Sequence, residues 1–216
     1  MNTTPTTTLH PGWKVQLAVH RAVRRDTARL AAALADGSAP PAAVQAYWAA
    51  TAEQLHEHHL FEDNVVWPLM AERLEGRVAA LLGRNANEHV AMAAAMDNFD
   101  RAVAALATDT GAARVALAQL HDAIETHLGH EEAEVLPLIP EAFTIEDVMF
   151  FSTESAKTNP APAFLPWLLD DAPDDDVAFF TGPMPDPVRA ALESEWTPRW
   201  RATVDALVTE PVVSAP

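Results

Sequence analysis

The sequence predicts an all-α fold, an antiparallel up-down-up-down four-helix bundle followed by an irregular helical extension at the C-terminus. Three observations lead to this prediction. Apolar residues recur in steps of three and four over most of the chain. Only 7 of the 216 residues are Gly, and alanine is frequent, which favours helix over sheet. The connections between the helical stretches are short, so consecutive helices are expected to run antiparallel.

The first half of the bundle consists of two predicted helices. They follow a polar, Thr-rich segment, residues 1–10, which we expect to be a disordered tail. Helix one carries an apolar stripe from Trp13 to Leu34. Residues 37–41 end it and place proline in the first turn of helix two. Helix two then runs towards Pro68, which we expect to break or kink it.

The second half repeats this pattern. Helix three is predicted from about Leu82 to Leu106. Residues 108–111 read Thr-Asp-Thr-Gly, so capping residues precede a glycine and mark a turn. Helix four is predicted from about Ala112 to Pro137. We therefore assign the bundle to residues 11–143.

The composition changes after the bundle. Residues 144–216 are rich in proline and contain the acidic run 170–176. They also contain the apolar stretch 164–169 and a candidate helix at 187–208 that carries two tryptophans. Because so many large apolar side chains would be costly to leave in water, we expect this extension to pack on the bundle or on a partner subunit. The extension is also the candidate surface for forming an oligomer.

Charge and composition exclude several classes of protein. The formal net charge is −17, which argues against nucleic acid and anionic membranes as partners. The chain contains no cysteine, which excludes disulfides, thiolate metal sites and cysteine nucleophiles. No apolar run approaches the ~20 residues of a membrane span, and the N-terminus lacks the features of a signal peptide. We therefore expect a cytoplasmic protein.

Six residues of types that bind metal ions repeat with a common offset. A His-x-x-x-Glu motif precedes a proline in helix two, and the same motif recurs 69 residues later in helix four. A histidine in helix one has a counterpart in helix three at the same offset. The repeated residues are His20, His58 and Glu62 in the first half and His89, His127 and Glu131 in the second.

The spacing and burial of these residues indicate a metal site. Four residues of α-helix turn ~400° and advance ~6 Å, so both side chains of each motif lie on one face. All six residues lie in apolar stripes, where an unpaired carboxylate would be costly. Four imidazoles and two carboxylates exceed the four ligands of a tetrahedral zinc ion. They suit two octahedral ions bridged by the carboxylates, although imidazole and carboxylate also accept zinc or manganese.

Other histidines have a carboxylate four residues later but no repeated counterpart. They include His59 with Asp63 and His130 with Glu134. Because neither histidine has an equivalent at the same offset, we interpret both as surface residues or as outer neighbours of the site.

With these motifs, residues 10–143 resemble the hemerythrin-like (HHE cation-binding) domain family. The resemblance implies a non-haem centre of two iron ions, with carboxylate bridges and an oxo or hydroxo bridge, inside a four-helix bundle. It implies that His20 and His58 bind mainly one iron, that His89 and His127 bind the other, and that both glutamates bridge. The oxygen-carrying members have a second histidine on helix three, whereas this chain has Asn85 and Ala93 around His89. This departure resembles bacterial and iron-sensing members, and the extension resembles that of actinobacterial members.

The resemblance implies that the chain binds or reacts with a small oxidant, O2, H2O2 or NO. Detoxification of peroxide or NO by a redox enzyme is the first hypothesis. The alternative is a non-catalytic module that binds or senses O2, NO or iron. A metal site that only stabilises the fold is a third hypothesis. No catalytic residue is assigned.

Overall fold

A computed structural model describes residues 10–37 and 39–208 of the chain, and these residues form helices without any strand. The all-α prediction is therefore confirmed. Residues 1–9 of the predicted tail lie outside the described residues. The α-helices are α1 (Pro11–Asp36), α2 (Pro41–Phe61), α3 (Trp67–Arg73), α4 (Ala79–Ala104), α5 (Thr110–His130), α6 (Ile139–Ala142), α7 (Ile145–Ser155), α8 (Ala161–Leu169), α9 (Asp174–Thr181), α10 (Asp186–Ala191) and α11 (Thr197–Val208).

The four long helices pack around a common core. Helix α4 contacts α5 and α2, and α1 also contacts α5 and α2. The core between them contains large side chains that are fully buried, including Tyr47, Phe99 and Ile124. These contacts fit a four-helix bundle, and the up-down-up-down order of the helices stays a prediction.

The prolines of the two repeated motifs change the hydrogen-bond pattern without ending the helical path. Helix α2 continues through a π-helical turn, Glu62–Val66, into α3. Pro68 has no N–H to donate, and the residue before it, Trp67, donates to the carbonyl of Glu62 five residues back. The expected break at Pro68 is therefore replaced by a π turn.

Two further π turns end two residues before a proline, as the first one does. The second motif has a π turn at Glu131–Val135, two residues before Pro137. A third π turn, Leu192–Trp196, lies two residues before Pro198 in the extension, far along the chain from either motif. The π turns thus follow from the prolines, and in both motifs the turn begins at the glutamate.

The extension packs against the bundle at several helices. Helices α7 and α8 pack against α1, and α11 packs against α2. Arg21 donates to the carbonyl of Leu168, and Arg25 donates to that of Trp167, so α1 supplies partners for the last carbonyls of α8.

A buried carboxylate joins the same elements. Asp26 of α1 has no exposed surface. It accepts hydrogen bonds from α1, α2 and α8, whose donors are Arg25 Nε, Tyr47 Oη, Thr51 Oγ1 and Trp167 Nε1 at 2.6–2.9 Å. The four donors offset the loss of hydration of this carboxylate.

No helix in the described residues combines the length and the apolar character needed to cross a membrane.

Candidate metal centre

The six residues predicted from the repeat come together inside the bundle. His20 lies on α1, His58 near the end of α2, His89 on α4 and His127 on α5, and the two glutamates begin the π turns. Their side chains are buried, the most exposed being His58 at 9%. The site is therefore enclosed by all four long helices.

Each carboxylate lies between two imidazoles from different helices. Glu62 Oε1 is 3.4 Å from His58 Nε2, and Glu62 Oε2 is 3.5 Å from His89 Nε2. Glu131 Oε2 is 3.2 Å from His127 Nε2 and 3.7 Å from His20 Nε2. His89 Nε2 and His127 Nε2 are 3.3 Å apart. The ring nitrogens and carboxylate oxygens therefore converge on a small volume.

Most of these inward-facing atoms have no hydrogen-bond partner. His20 Nε2, His58 Nε2, Glu62 Oε2 and both carboxylate oxygens of Glu131 are buried and unpartnered. Each such atom costs about 1–3 kcal/mol, and more when charged, unless something compensates. Because all of them are good metal ligands, bound cations would compensate the whole set.

His59 is a seventh candidate, and its interpretation as a surface residue was wrong because it is buried. The residue is 7% exposed. Its ring stacks on that of His89 at 4.2 Å, and its Nε2 atom has no partner. Ligand atoms of His59, His89 and His127 lie close enough together to hold one ion.

A second group, Glu62, His127 and Glu131, is equally close. His127 belongs to both groups. The sequence does contain a signal for His59, because both His58 and His59 fit the helical spacing between Leu55 and Glu62.

Carboxylates outside the cluster hold three of the imidazoles in place. The Nδ1 atoms of these rings lie 2.9–3.3 Å from carboxylate oxygens, in the pairs His20–Glu132, His89–Asp63 and His127–Glu88. A carboxylate accepts the Nδ1 hydrogen, and in that tautomer the lone pair is on Nε2, which faces the cluster. This is the arrangement that usually orients metal-binding histidines. His130 also contacts Glu88 and has a 40% exposed side chain, as expected of a surface residue.

Comparison with known proteins identifies the family. The model of the hemerythrin HHE cation-binding domain matches residues 12–139, more than half of the chain. The chain belongs to the hemerythrin HHE cation-binding domain family. The predicted family is thus confirmed. Searches of curated proteins and of solved structures found no match.

The family match supports the interpretation of the buried cluster as a metal-binding site. The range 12–139 of the HHE domain includes all seven candidate residues and ends before the extension. The buried His and Glu side chains fit metal binding, and iron suits this donor set. Asn85, one turn before His89, is also buried with both amide atoms unpartnered, so the second side chain on this face of α4 is polar but not an imidazole.

Burial lowers the pKa values of three histidines in the HHE domain. Burial and the nearby His20 lower the pKa of His58 to about 3. Burial and neighbouring imidazoles also lower the pKa of His59 and that of His89. These three rings are therefore neutral at pH 7, which is the form that binds metal.

The two carboxylates differ. Burial and the charge of Glu131 raise the pKa of Glu62 well above its ordinary value. Burial acts upward on the pKa of Glu131 too, but His20 and His127 outweigh it and lower that pKa to about 2. Since cations would favour the ionised form of both groups, metal binding is expected to release the proton from Glu62.

The stability of the metal-free protein is expected to fall as the pH falls below about 6.5. On unfolding, His58, His59 and His89 regain an ordinary pKa near 6.5, so the unfolded chain binds up to three more protons there. Glu62 acts in the opposite direction with one proton, because its pKa is raised in the folded state. The excess of protons on the unfolded chain makes the free energy of unfolding decrease with falling pH. Thermal melts after chelation should give a lower Tm at pH 5 than at pH 7, and an equal or higher Tm at pH 5 would contradict this balance.

Proposed function

We propose that this HHE domain binds two iron ions and that the centre binds or reacts with a small oxidant, O2, H2O2 or NO. The convergence of unpartnered ring nitrogens and carboxylate oxygens supports the proposal. The ligands we propose are His20, His58, His59, His89, His127, Glu62 and Glu131.

The contacts support a bridging role for both glutamates. The family resemblance pairs His20 with His58 and His89 with His127. Glu62 contacts His58 from the first pair and His89 from the second. Glu131 contacts His20 from the first pair and His127 from the second. Each carboxylate therefore reaches towards both proposed ions, and His59 lies with the second pair.

The other residues around the centre orient these ligands. Gln16 of α1 donates a hydrogen bond from its Nε2 to Oε1 of Glu62 and so holds one oxygen of that carboxylate. Glu132, Asp63 and Glu88 fix the ring planes of three histidines from outside. Bound iron would supply the redox chemistry towards the oxidant. The chain itself supplies a site in which the ligands need little rearrangement.

We favour a redox enzyme that removes peroxide or NO, and a specific contact keeps the sensing alternative open. Helix α1 carries His20, and the same helix carries Arg21 and Arg25, which bind the carbonyls at the end of α8. A change at His20 on oxidant binding would therefore reach the extension through one rigid helix. In that case the extension would pass the signal on.

Metal content per chain and an optical spectrum test the proposal. We expect about two irons per chain, the number that suits the paired ligand set, and absorption bands that change on reduction. Zinc, or an intact fold without metal, would contradict it. Turnover of added H2O2 or NO by the iron-loaded protein would favour the enzyme. Stable binding of the oxidant without turnover would favour the sensing module.

His59 has its own test. A His59→Ala variant is expected to bind less metal than the unmodified protein, because the group of His59, His89 and His127 loses one imidazole. The matched control is His56→Ala, which removes an exposed histidine from the same helix. Metal content and metal affinity of the two variants, measured by titration of the chelated protein, should differ by about 10-fold or more. Equal affinities would show that His59 is not a ligand.

A further inference from the structure

A large cavity lies between the bundle and the extension, directly beside the metal centre. Its volume is about 450 Å³. His58 and Glu62 line one end of it, and Phe151 of α7 and Phe164 of α8 line the wall formed by the extension. The extension and the metal centre therefore share this cavity.

The cavity is much larger than a small oxidant requires. A water molecule occupies ~30 Å³ of liquid, and O2, NO and H2O2 are of similar size. Pockets that bind organic molecules typically measure about 300–1,000 Å³. The volume therefore fits an organic molecule of moderate size.

The lining specifies the chemistry of the occupant. Apolar side chains predominate, among them Val15, Val19 and Phe61. Among residues 10–37 and 39–208, neither Lys nor Arg lines the cavity, whereas Glu57 and Glu62 do. Because the protein also carries a net charge of −17, an anionic ligand would be repelled in the metal-free protein. An uncharged ligand fits better.

The polar groups at the metal end can orient such a ligand. His58 Nε2 and Glu62 Oε2 are buried without hydrogen-bond partners. Gln54 and Asn159 also line the cavity. The side-chain Nδ2 of Asn159 donates a hydrogen bond to Oε1 of Gln54 at 2.8 Å. The metal end is therefore the more polar end of the cavity, where the single polar group of a ligand would lie beside the proposed ions.

We propose that this cavity binds an uncharged, largely apolar organic molecule whose single polar group points towards His58 and Glu62. This inference rests on the proposed function in one respect, since the polar end of the ligand would lie beside the proposed iron ions. The binding of the apolar body depends only on the cavity. The ligand would thus be a second molecule at the site, in addition to the small oxidant.

Two fluorescent dyes that share one skeleton test the charge and the location together. N-phenyl-1-naphthylamine is uncharged, and 8-anilino-1-naphthalenesulfonate is the same molecule with a sulfonate group. We expect saturable binding of one uncharged dye per full-length chain, and at least about 10-fold weaker binding of the sulfonate, equivalent to ~1.4 kcal/mol. Both titrations are repeated after chelation, and the uncharged dye is expected to bind then as well.

Variants that fill the cavity locate the binding site. Val15→Phe places a ring in the cavity from α1 and is expected to weaken binding of the uncharged dye at least 10-fold, equivalent to ~1.4 kcal/mol. Val115→Phe, at an exposed position of α5, is the matched control and should bind like the unmodified protein. Ser155→Phe fills the cavity from α7 and provides a second variant if Val15→Phe does not fold.

The outcomes separate this inference from the proposed function. Absence of saturable dye binding, or unchanged affinity in the folded filling variants, would overturn the cavity as a binding site. Equal affinity for the sulfonate would overturn the choice of an uncharged ligand. Metal content is measured independently, so a protein that binds two irons but no dye refutes only this inference. A protein that binds the dye but no iron refutes only the proposed metal centre.

Discussion

A His127→Ala variant is expected to lose more than about 100-fold in metal affinity, which is beyond the 10–100-fold typical of losing an outer partner. His127 is the residue shared by the two groups that could hold an ion. Its Nε2 atom lies 3.2 Å from Glu131 and 3.3 Å from His89, so its removal leaves the second histidine pair with one imidazole and Glu131 with one neighbour fewer. Metal content after purification and a titration of the chelated protein measure the effect.

The matched control for this variant lies on the same helix. His121 of α5 is exposed, and His121→Ala removes an imidazole without touching the cluster. The control should retain the metal content of the unmodified protein. If His127→Ala also retained its metal with unchanged affinity, the assignment of His127 as a metal ligand would be wrong. Circular dichroism of the metal-free proteins checks that both variants keep their helical content.

An Asp26→Ala variant is expected to lose about 3–5 kcal/mol of unfolding free energy, the usual loss when one partner of a buried ion pair is removed. The carboxylate accepts bonds from Tyr47, Thr51 and Trp167, which come from two elements of the structure, and from Arg25 on its own helix. Without it, the buried donors lose their acceptor and Arg25 loses its closer carboxylate partner, keeping only Asp170. Urea unfolding followed by circular dichroism and tryptophan fluorescence measures the change.

Two further variants divide this effect. Trp167→Phe removes only one donor, which leaves the carboxylate with three partners, and is expected to cost about 1–3 kcal/mol. Asp97→Ala removes an exposed carboxylate of α4 and should change the unfolding free energy by less than about 0.5 kcal/mol. An Asp26→Ala variant as stable as the Asp97→Ala control would show that the buried network does not hold the extension on the bundle.

The helices and the six repeated residues could be predicted because the signals are local. Apolar residues at helical spacing mark a buried face, and a histidine and a glutamate four residues apart must share that face. The 69-residue offset then links the two halves without any knowledge of their packing. The same reasoning failed at His59, since the repeat pairs it with Leu128. Helical spacing between Leu55 and Glu62 fits His59 as well as His58, and this was the signal that the repeat did not contain.

The extension shows where local signals end. Arg21 and Arg25 lie on α1, about 145 residues before the carbonyls that they bind. The spacing of the two arginines does not predict these partners. The cavity is likewise formed by side chains from α1, α2, α7 and α8, whose distance from one another depends on packing. Predicting such contacts requires the path of the chain between the elements.

The sequence by itself determined the helical class, the repeated His and Glu residues and the family. Each depends on residue types at short fixed spacings, which a helix converts directly into a shared face. Only the tertiary structure decided that His59 joins the cluster, that α1 holds the end of α8, and that a cavity of about 450 Å³ lies beside the centre. These features depend on distances between elements far apart in the chain, which are set by the packing of complete side chains in the core.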